Sequence, residues 1–170
     1  MKRGLKIAVT VIFALLVCSL LLWRLWPYSF ADVISTDESR IINISCSSTT
    51  SGLNDAGTPF TSHHSLSSLE KDTDEFNAVL DIVKSCEYRQ DFQNLLPWAI
   101  TSYSFGGSKT AIVSLIWGNA PGDNGFLQFG VDGQVVVSVG SDKGFKVYHT
   151  TDDSILDTLV SFVQERGTDG

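Results

Sequence analysis

Histidine is the residue type best suited to proton transfer or metal binding in this 170-residue chain, which contains three. His149 is followed closely by Asp152 and Asp153, and serines are numerous, so a Ser–His–carboxylate hydrolase site could be assembled in space. No G-x-S-x-G motif is present to position a nucleophilic serine. The two aspartates also suit the first turn of a helix, where the helix dipole favours carboxylates. An enzyme using His149 therefore remains an alternative, and the sequence identifies no catalytic residue.

The adjacent pair His63 and His64 is a second candidate for metal chemistry. A structural zinc site needs four ligands, and no neighbouring residue completes such a set. Gly106 to Thr110 (GGSKT) does not form a phosphate-binding loop, because the glycine required directly before the lysine is replaced by Ser108. The sequence predicts neither a metal nor any other cofactor.

Cysteines offer a third kind of chemistry. Cys46 falls on the apolar face of a predicted strand, and Cys86 follows the apolar face of a predicted helix, so both thiols should point into one core. A disulfide between them would stabilise the fold by about 4 kcal/mol in the chain-entropy model. Two packed free thiols are the alternative, because buried cysteine behaves as a small apolar residue. Both readings stay open.

A long apolar segment precedes all of these candidate residues except Cys18. Residues 7–23 contain no charge, and Leu25 and Trp26 extend the segment to residues 7–26. A helix of this length spans roughly 25–30 Å, which is what the hydrocarbon layer of a bilayer requires. The segment is predicted to be a transmembrane helix, so the lipid bilayer is its first partner.

The flanks of this segment predict its orientation. Three basic residues precede it, as is typical of cytoplasmic flanks: Lys2, Arg3 and Lys6. Aromatic residues follow it and suit the opposite membrane interface: Trp23, Trp26 and Tyr28. We expect residues 1–6 in the cytoplasm and residues 27–170 outside the cell membrane as one extracytoplasmic domain.

Two alternatives remain for the N-terminal segment. Ser29 and Ala31 fit a signal-cleavage site that would release a secreted protein, although cleavable apolar cores are usually shorter. Lipidation of Cys18 is the other, although Val17 stands where a small residue is expected. The uncleaved anchor is the reading that we favour.

Charge is distributed unevenly along the chain, whose net charge is -7. All 19 acidic residues lie from Asp32 onward, where only eight basic residues oppose them, giving a net charge of about -11 outside the membrane. Such a surface repels phosphate backbones, so the sequence disfavours nucleic-acid binding. We expect a protein partner in the envelope.

Local patterns predict the elements of the first half of the domain. Residues 30–36 and 40–47 read as two strands, and residues 48–68 read as a flexible loop rich in serine and threonine. Asp72 with Glu75 suggests a capped helix that ends near Ser85 or Cys86. Residues 87–96 would add a further turn or an ordered connection.

Alternation of apolar residues predicts five strands in the second half, at residues 98–105, 109–117, 126–131, 134–139 and 145–149. Asp132 and Gly133 predict a type I′ turn with positive φ at both positions. Residues 150–153 open a last helix that ends at Arg166 and Gly167. The predicted fold is α+β, an N-terminal transmembrane helix followed by a largely antiparallel sheet in the order ββα-βββββ-α, with two helices on one face.

This layout of basic tip, single span, early strand pair, acidic helix start at Asp72-Thr73-Asp74-Glu75, meander and closing helix resembles small membrane-anchored extracytoplasmic proteins of unknown function from Gram-positive bacteria. The resemblance covers most of the chain and implies no activity or site residue. The sequence thus predicts a non-enzymatic, membrane-tethered domain that binds another envelope component.

Overall fold

A computed structural model of the chain describes residues 2–95, 107–118, 120, 122–140 and 144–169. These residues form four helices and an eight-stranded antiparallel sheet, so the predicted α+β class is confirmed. The helices are α1 (Lys2–Leu25), α2 (Phe30–Ile34), α3 (Asp74–Lys84) and α4 (Ile155–Arg166). The strands are β1 (Asn43–Leu53), β2 (Pro59–Glu70), β3 (Tyr88–Gln90), β4 (Lys109–Ile116), β5 (Asn124–Phe129), β6 (Gln134–Val139), β7 (Lys146–Thr150) and β8 (Thr168–Asp169).

The sheet has the order β3-β7-β6-β5-β4-β1-β2-β8, so β3 and the β1–β2 hairpin lie toward opposite edges. Alternate residues of the central strands point to one face, where Cys46 of β1 lies opposite Val113 of β4. On this face α2, α3 and α4 bury their apolar side chains in one cluster with the sheet, including Val79 and Leu159. The predicted packing of both long domain helices on a single sheet face is confirmed.

Helix α1 stands outside this core. It contains a 20-residue segment, Lys6–Leu25, that is long and apolar enough to cross a membrane and is not buried in the domain. At 1.5 Å per residue such a segment is about 30 Å long, equal to the hydrocarbon thickness. Its apolar side chains are exposed over most of this length.

The first predicted strand, residues 30–36, is wrong, because these residues form α2. Ser29 caps this short helix: its hydroxyl accepts the Asp32 N–H at 3.3 Å, and its own N–H donates to the Asp32 carboxylate at 2.9 Å. This capping box satisfies N–H groups that a strand would leave for a neighbour. The second predicted strand, residues 40–47, corresponds to the start of β1.

The flexible loop predicted at residues 48–68 is also wrong. These residues complete β1 and most of β2, which pair along their length in an 11- and 12-residue hairpin. Polar side chains link the strands, with Thr49 Oγ1 3.2 Å from His63 Nδ1 and Ser51 Oγ 3.1 Å from Thr61 Oγ1. Cross-strand pairs of this kind stabilise a hairpin that has little apolar alternation.

The predicted start of α3 is shifted by one cap position. Thr73, rather than Asp72, is the N-cap, and its hydroxyl accepts the Phe76 N–H at 3.3 Å. Asp72 adopts a left-handed φ of 70° in the preceding turn. The helix ends at Lys84 with Ser85 as its C-cap, one residue before the first of the two predicted ends.

The meander agrees with the sequence wherever the structure describes it. Predicted strands at 109–117, 126–131, 134–139 and 145–149 correspond to β4, β5, β6 and β7. Asp132 and Gly133 have φ of 60° and 69°, so the predicted positive-φ turn is confirmed. The predicted strand at 98–105 lies outside the described residues. Of the predicted turn or connection at 87–96, the described residues 87–95 contain β3 followed by a 3-10 turn, Phe92–Leu95.

Candidate functional site

The two domain cysteines are inert in this fold. Cys46 and Cys86 are both buried and are free thiols, so the structure contains the packed thiols and not the disulfide. Burial raises the pKa of Cys46 to about 12 and also raises the pKa of Cys86. Because the thiolate is the reactive form, neither cysteine is suited to nucleophilic chemistry at neutral pH.

His149 makes a side-chain contact that its sequence neighbours do not suggest. Its Nε2 lies 2.8 Å from Oδ2 of Asp91, and both side chains are partly buried. Asp152 is instead bonded within its own turn, where the hydroxyl and N–H of Ser154 donate to its carboxylate at 2.7 and 2.8 Å and lower its pKa. Asp91 is 58 positions from His149, so spacing in the sequence carries no signal of this pair.

The His149 pair borders an open cavity of about 510 Å³. Thr150 and Thr151 contribute hydroxyls to its wall, but the first is within hydrogen-bond distance of two backbone carbonyls and the second accepts the Glu87 N–H at 3.2 Å. No serine or cysteine in the described part of the chain hydrogen-bonds to His149. The cavity is lined by Arg24, Leu25, Arg89, Asp132, His149, Thr150 and Thr151.

A second histidine arrangement lies in the segment where the flexible loop was expected. On β2, Ser62 Oγ lies 2.8 Å from Nε2 of His64, whose Nδ1 lies 2.8 Å from Oδ1 of Asp169 on β8. The buried Nδ1 has no hydrogen-bond partner among the described residues, and the Asp169 side chain is 88% exposed. Ser62 and His64 share one strand face, a signal that appears in the sequence only once residues 59–70 are recognised as a strand.

The tip of the β1–β2 hairpin displays two large apolar side chains. Leu53 is 68% exposed and Phe60 is 42% exposed, at the ends of the two strands. The connecting turn is well bonded, because the Asn54 side chain accepts the N–H groups of Ala56 and Thr58 at 3.0 and 2.8 Å. The two apolar residues are therefore held by an ordered turn, and their exposure makes the tip a candidate contact surface.

The aromatic residues predicted at the membrane interface lie where α1 meets the domain. Trp23 is 6.4 Å from the ring of Phe92, and Trp26 is 64% exposed just beyond the helix. Tyr28 packs its ring 6.2 Å from that of Tyr148. Their interfacial role stays a prediction, and their contacts place the base of the domain directly against the end of α1.

The described residues contain no group of three or more side chains that could hold a metal ion. In the part of the chain that the structure describes, two histidine–aspartate pairs are assembled, one beside α1 and one between β2 and β8. Comparison with protein-family models, with curated proteins and with solved structures finds no significant match to this chain.

Proposed function

We propose that this chain is a single-pass cell-membrane protein whose acidic extracytoplasmic domain binds another protein of the envelope. The observation that carries the proposal is the ordered hairpin tip, where Leu53 and Phe60 are exposed at the sheet edge remote from β3 and the membrane helix. Exposed apolar side chains on a rigid support are what binding hot spots require.

Charge supports the membrane orientation in this proposal. Lys2, Arg3 and Lys6 precede or begin the apolar segment of α1, and basic residues are retained on the cytoplasmic side. The net charge of about -11 on the remainder of the chain favours a domain that avoids contact with an anionic bilayer except beside its tether. The anchor confines the domain to the membrane surface, which raises its effective concentration relative to a partner on the same surface.

The free edge of β2 supports a mode of binding by strand addition. Strand β8 pairs with β2 only at His64 and Ser65. Among the described residues, 59–63 have no strand on their outer side. An extended segment of a partner can hydrogen-bond to such an edge while its side chains contact Phe60 and Leu53.

Photo-crosslinking at the hairpin tests this proposal. With a photoreactive phenylalanine at position 61, we expect one discrete heterologous adduct in intact cells. Adding Leu53→Asp and Phe60→Asp should reduce that adduct at least about 30-fold, since hot-spot residues contribute 2 kcal/mol or more each. Ile42→Asp is the control, because Ile42 is a similarly exposed apolar residue outside the tip.

Two outcomes of the crosslinking contradict the proposal. A discrete adduct that survives the double substitution would show that the tip does not bind. An adduct at twice the mass of the chain would show self-association through β2 in place of a different partner.

The Ser62–His64–Asp169 arrangement favours a second candidate function, an acyl hydrolase of the envelope. Its contacts follow the order of a serine-hydrolase triad, with Ser62 at Nε2 and Asp169 at Nδ1 of His64. A fluorophosphonate probe should then label the chain, and Ser62→Ala should abolish labelling while Ser67→Ala does not. Absence of label on the folded wild-type chain would exclude this candidate.

A further inference from the structure

The cavity beside His149 is built onto the end of the membrane helix. Arg24, in the last turn of α1, forms one wall, and Arg89 of β3 forms another. Backbone hydrogen bonds of 2.8 and 2.9 Å between Tyr28 and Tyr88 fix the domain directly after α1. Because the apolar segment Lys6–Leu25 is about as long as the hydrocarbon layer is thick, the cavity at its end lies at headgroup level when α1 spans the bilayer.

The charges in this cavity suit a phosphate group. Arg24 and Arg89 both line it, and neither forms a salt bridge among the described residues. Guanidinium groups bind phosphate through paired N–H bonds.

The neighbouring carboxylates leave this positive charge largely available. Asp132 adds one negative charge to the cavity wall, while the Asp91 carboxylate is not among the lining residues and lies 2.8 Å from Nε2 of His149. The cavity is therefore lined by two arginines and by one carboxylate, Asp132, that has no hydrogen-bonded cation among the described residues. The cavity beside the membrane helix is therefore locally positive, although the domain as a whole has a net charge of about -11.

We propose that this cavity binds the phosphate group of a bilayer phospholipid. The inference rests on the proposed function, because it requires α1 to span the membrane. Such a contact fixes the β3 edge of the sheet against the headgroups. Since the β1–β2 hairpin lies toward the opposite edge, the same contact presents the hairpin tip away from the bilayer. Inorganic phosphate has the same chemistry and is the competing source of the ligand.

Lipid retention by the full-length chain tests the inference. The chain is reconstituted in nanodiscs of phosphatidylglycerol, phosphatidylcholine or a phosphate-free galactolipid. It is then transferred to detergent, and native mass spectrometry measures the mass of the chain with any lipid that it retains. We expect one retained phospholipid and no retained galactolipid. Arg89→Gln and Arg24→Gln should each lower retention about tenfold, whereas Arg40→Gln, at an exposed arginine elsewhere, should not. The Arg24 substitution lies outside the domain core, so loss of folding cannot explain its effect.

Flotation with liposomes separates failure of this inference from failure of the anchor. If the chain floats but retains phospholipid and galactolipid equally, or if both arginine variants retain lipid like the wild type, the headgroup site is wrong and the anchor stands. If inorganic phosphate at millimolar concentration displaces the retained lipid, the site is one for free phosphate. If the chain does not float, both the anchor and the headgroup site are wrong.

Discussion

Replacing Ile12 and Leu16 of α1 by arginine together is expected to abolish stable insertion of the chain in membranes. Both residues are exposed within Lys6–Leu25, the segment that is long and apolar enough to span. An arginine at the centre of a transmembrane helix costs about 2.5–3.5 kcal/mol on insertion scales, so two cost roughly 5–7 kcal/mol. Carbonate extraction should therefore move the variant from the membrane pellet to the supernatant or to aggregates.

The control for this experiment keeps the segment apolar. Ile12→Phe with Leu16→Phe changes the same two positions without adding charge, and this variant should remain in the carbonate-resistant pellet. Since neither side chain contacts the domain core, the unfolding behaviour of the domain should be the same in all three proteins. An arginine variant that stays in the pellet as fully as the wild type would contradict a transmembrane role for α1.

The free energy of unfolding is expected to fall steeply above pH 9. Burial raises the pKa of Cys46 from 9.0 to about 12 and that of Tyr148 from 10.0 to about 12. The unfolded chain therefore releases protons that the folded chain retains, so stability present below pH 9 is lost as pH rises toward 12. Cys46 alone should remove about 3 kcal/mol of stability by pH 11.

Chemical denaturation of the full-length chain in nonionic detergent measures this effect. Cys46→Ala removes the titrating thiol and leaves Tyr148. The free energy of unfolding of the wild type should therefore fall by about 3 kcal/mol relative to that of the variant between pH 8 and pH 11. Ser161→Ala, at an exposed position of α4, is the control and should shift stability equally at every pH. A difference between wild type and Cys46→Ala that is independent of pH would mean that Cys46 is not buried as a thiol.

The elements that can be predicted correctly from the sequence are those with strong apolar periodicity. Strands β4 to β7 alternate apolar residues such as Val113 and Leu115, and α4 has an apolar stripe, so burial alone specifies these elements. The β1–β2 hairpin was missed because β2 is polar on both faces over most of its length and is stabilised by cross-strand pairs. Helix α2 was missed because its five residues are fixed by the Ser29–Asp32 cap.

The candidate sites were harder to predict from the sequence than the fold, for a physical reason. Arg24, Arg89 and His149 meet because the backbone of Tyr28 pairs with that of Tyr88 and because β3 pairs with β7. These are long-range pairings of a three-residue strand whose sequence, YRQ, has no distinctive pattern. Asp169 reaches His64 only through β8, a two-residue strand at the other end of the sheet.

Labelling of the hairpin turn in intact cells tests the central claim most directly. Asp55→Cys places an exposed thiol at the tip, while Cys46 and Cys86 are buried and Cys18 lies within the predicted span. A membrane-impermeant maleimide should modify Asp55→Cys in intact cells as completely as after lysis, and it should leave the parent chain unmodified. Modification of Asp55→Cys only after lysis would place the domain in the cytoplasm and contradict the account.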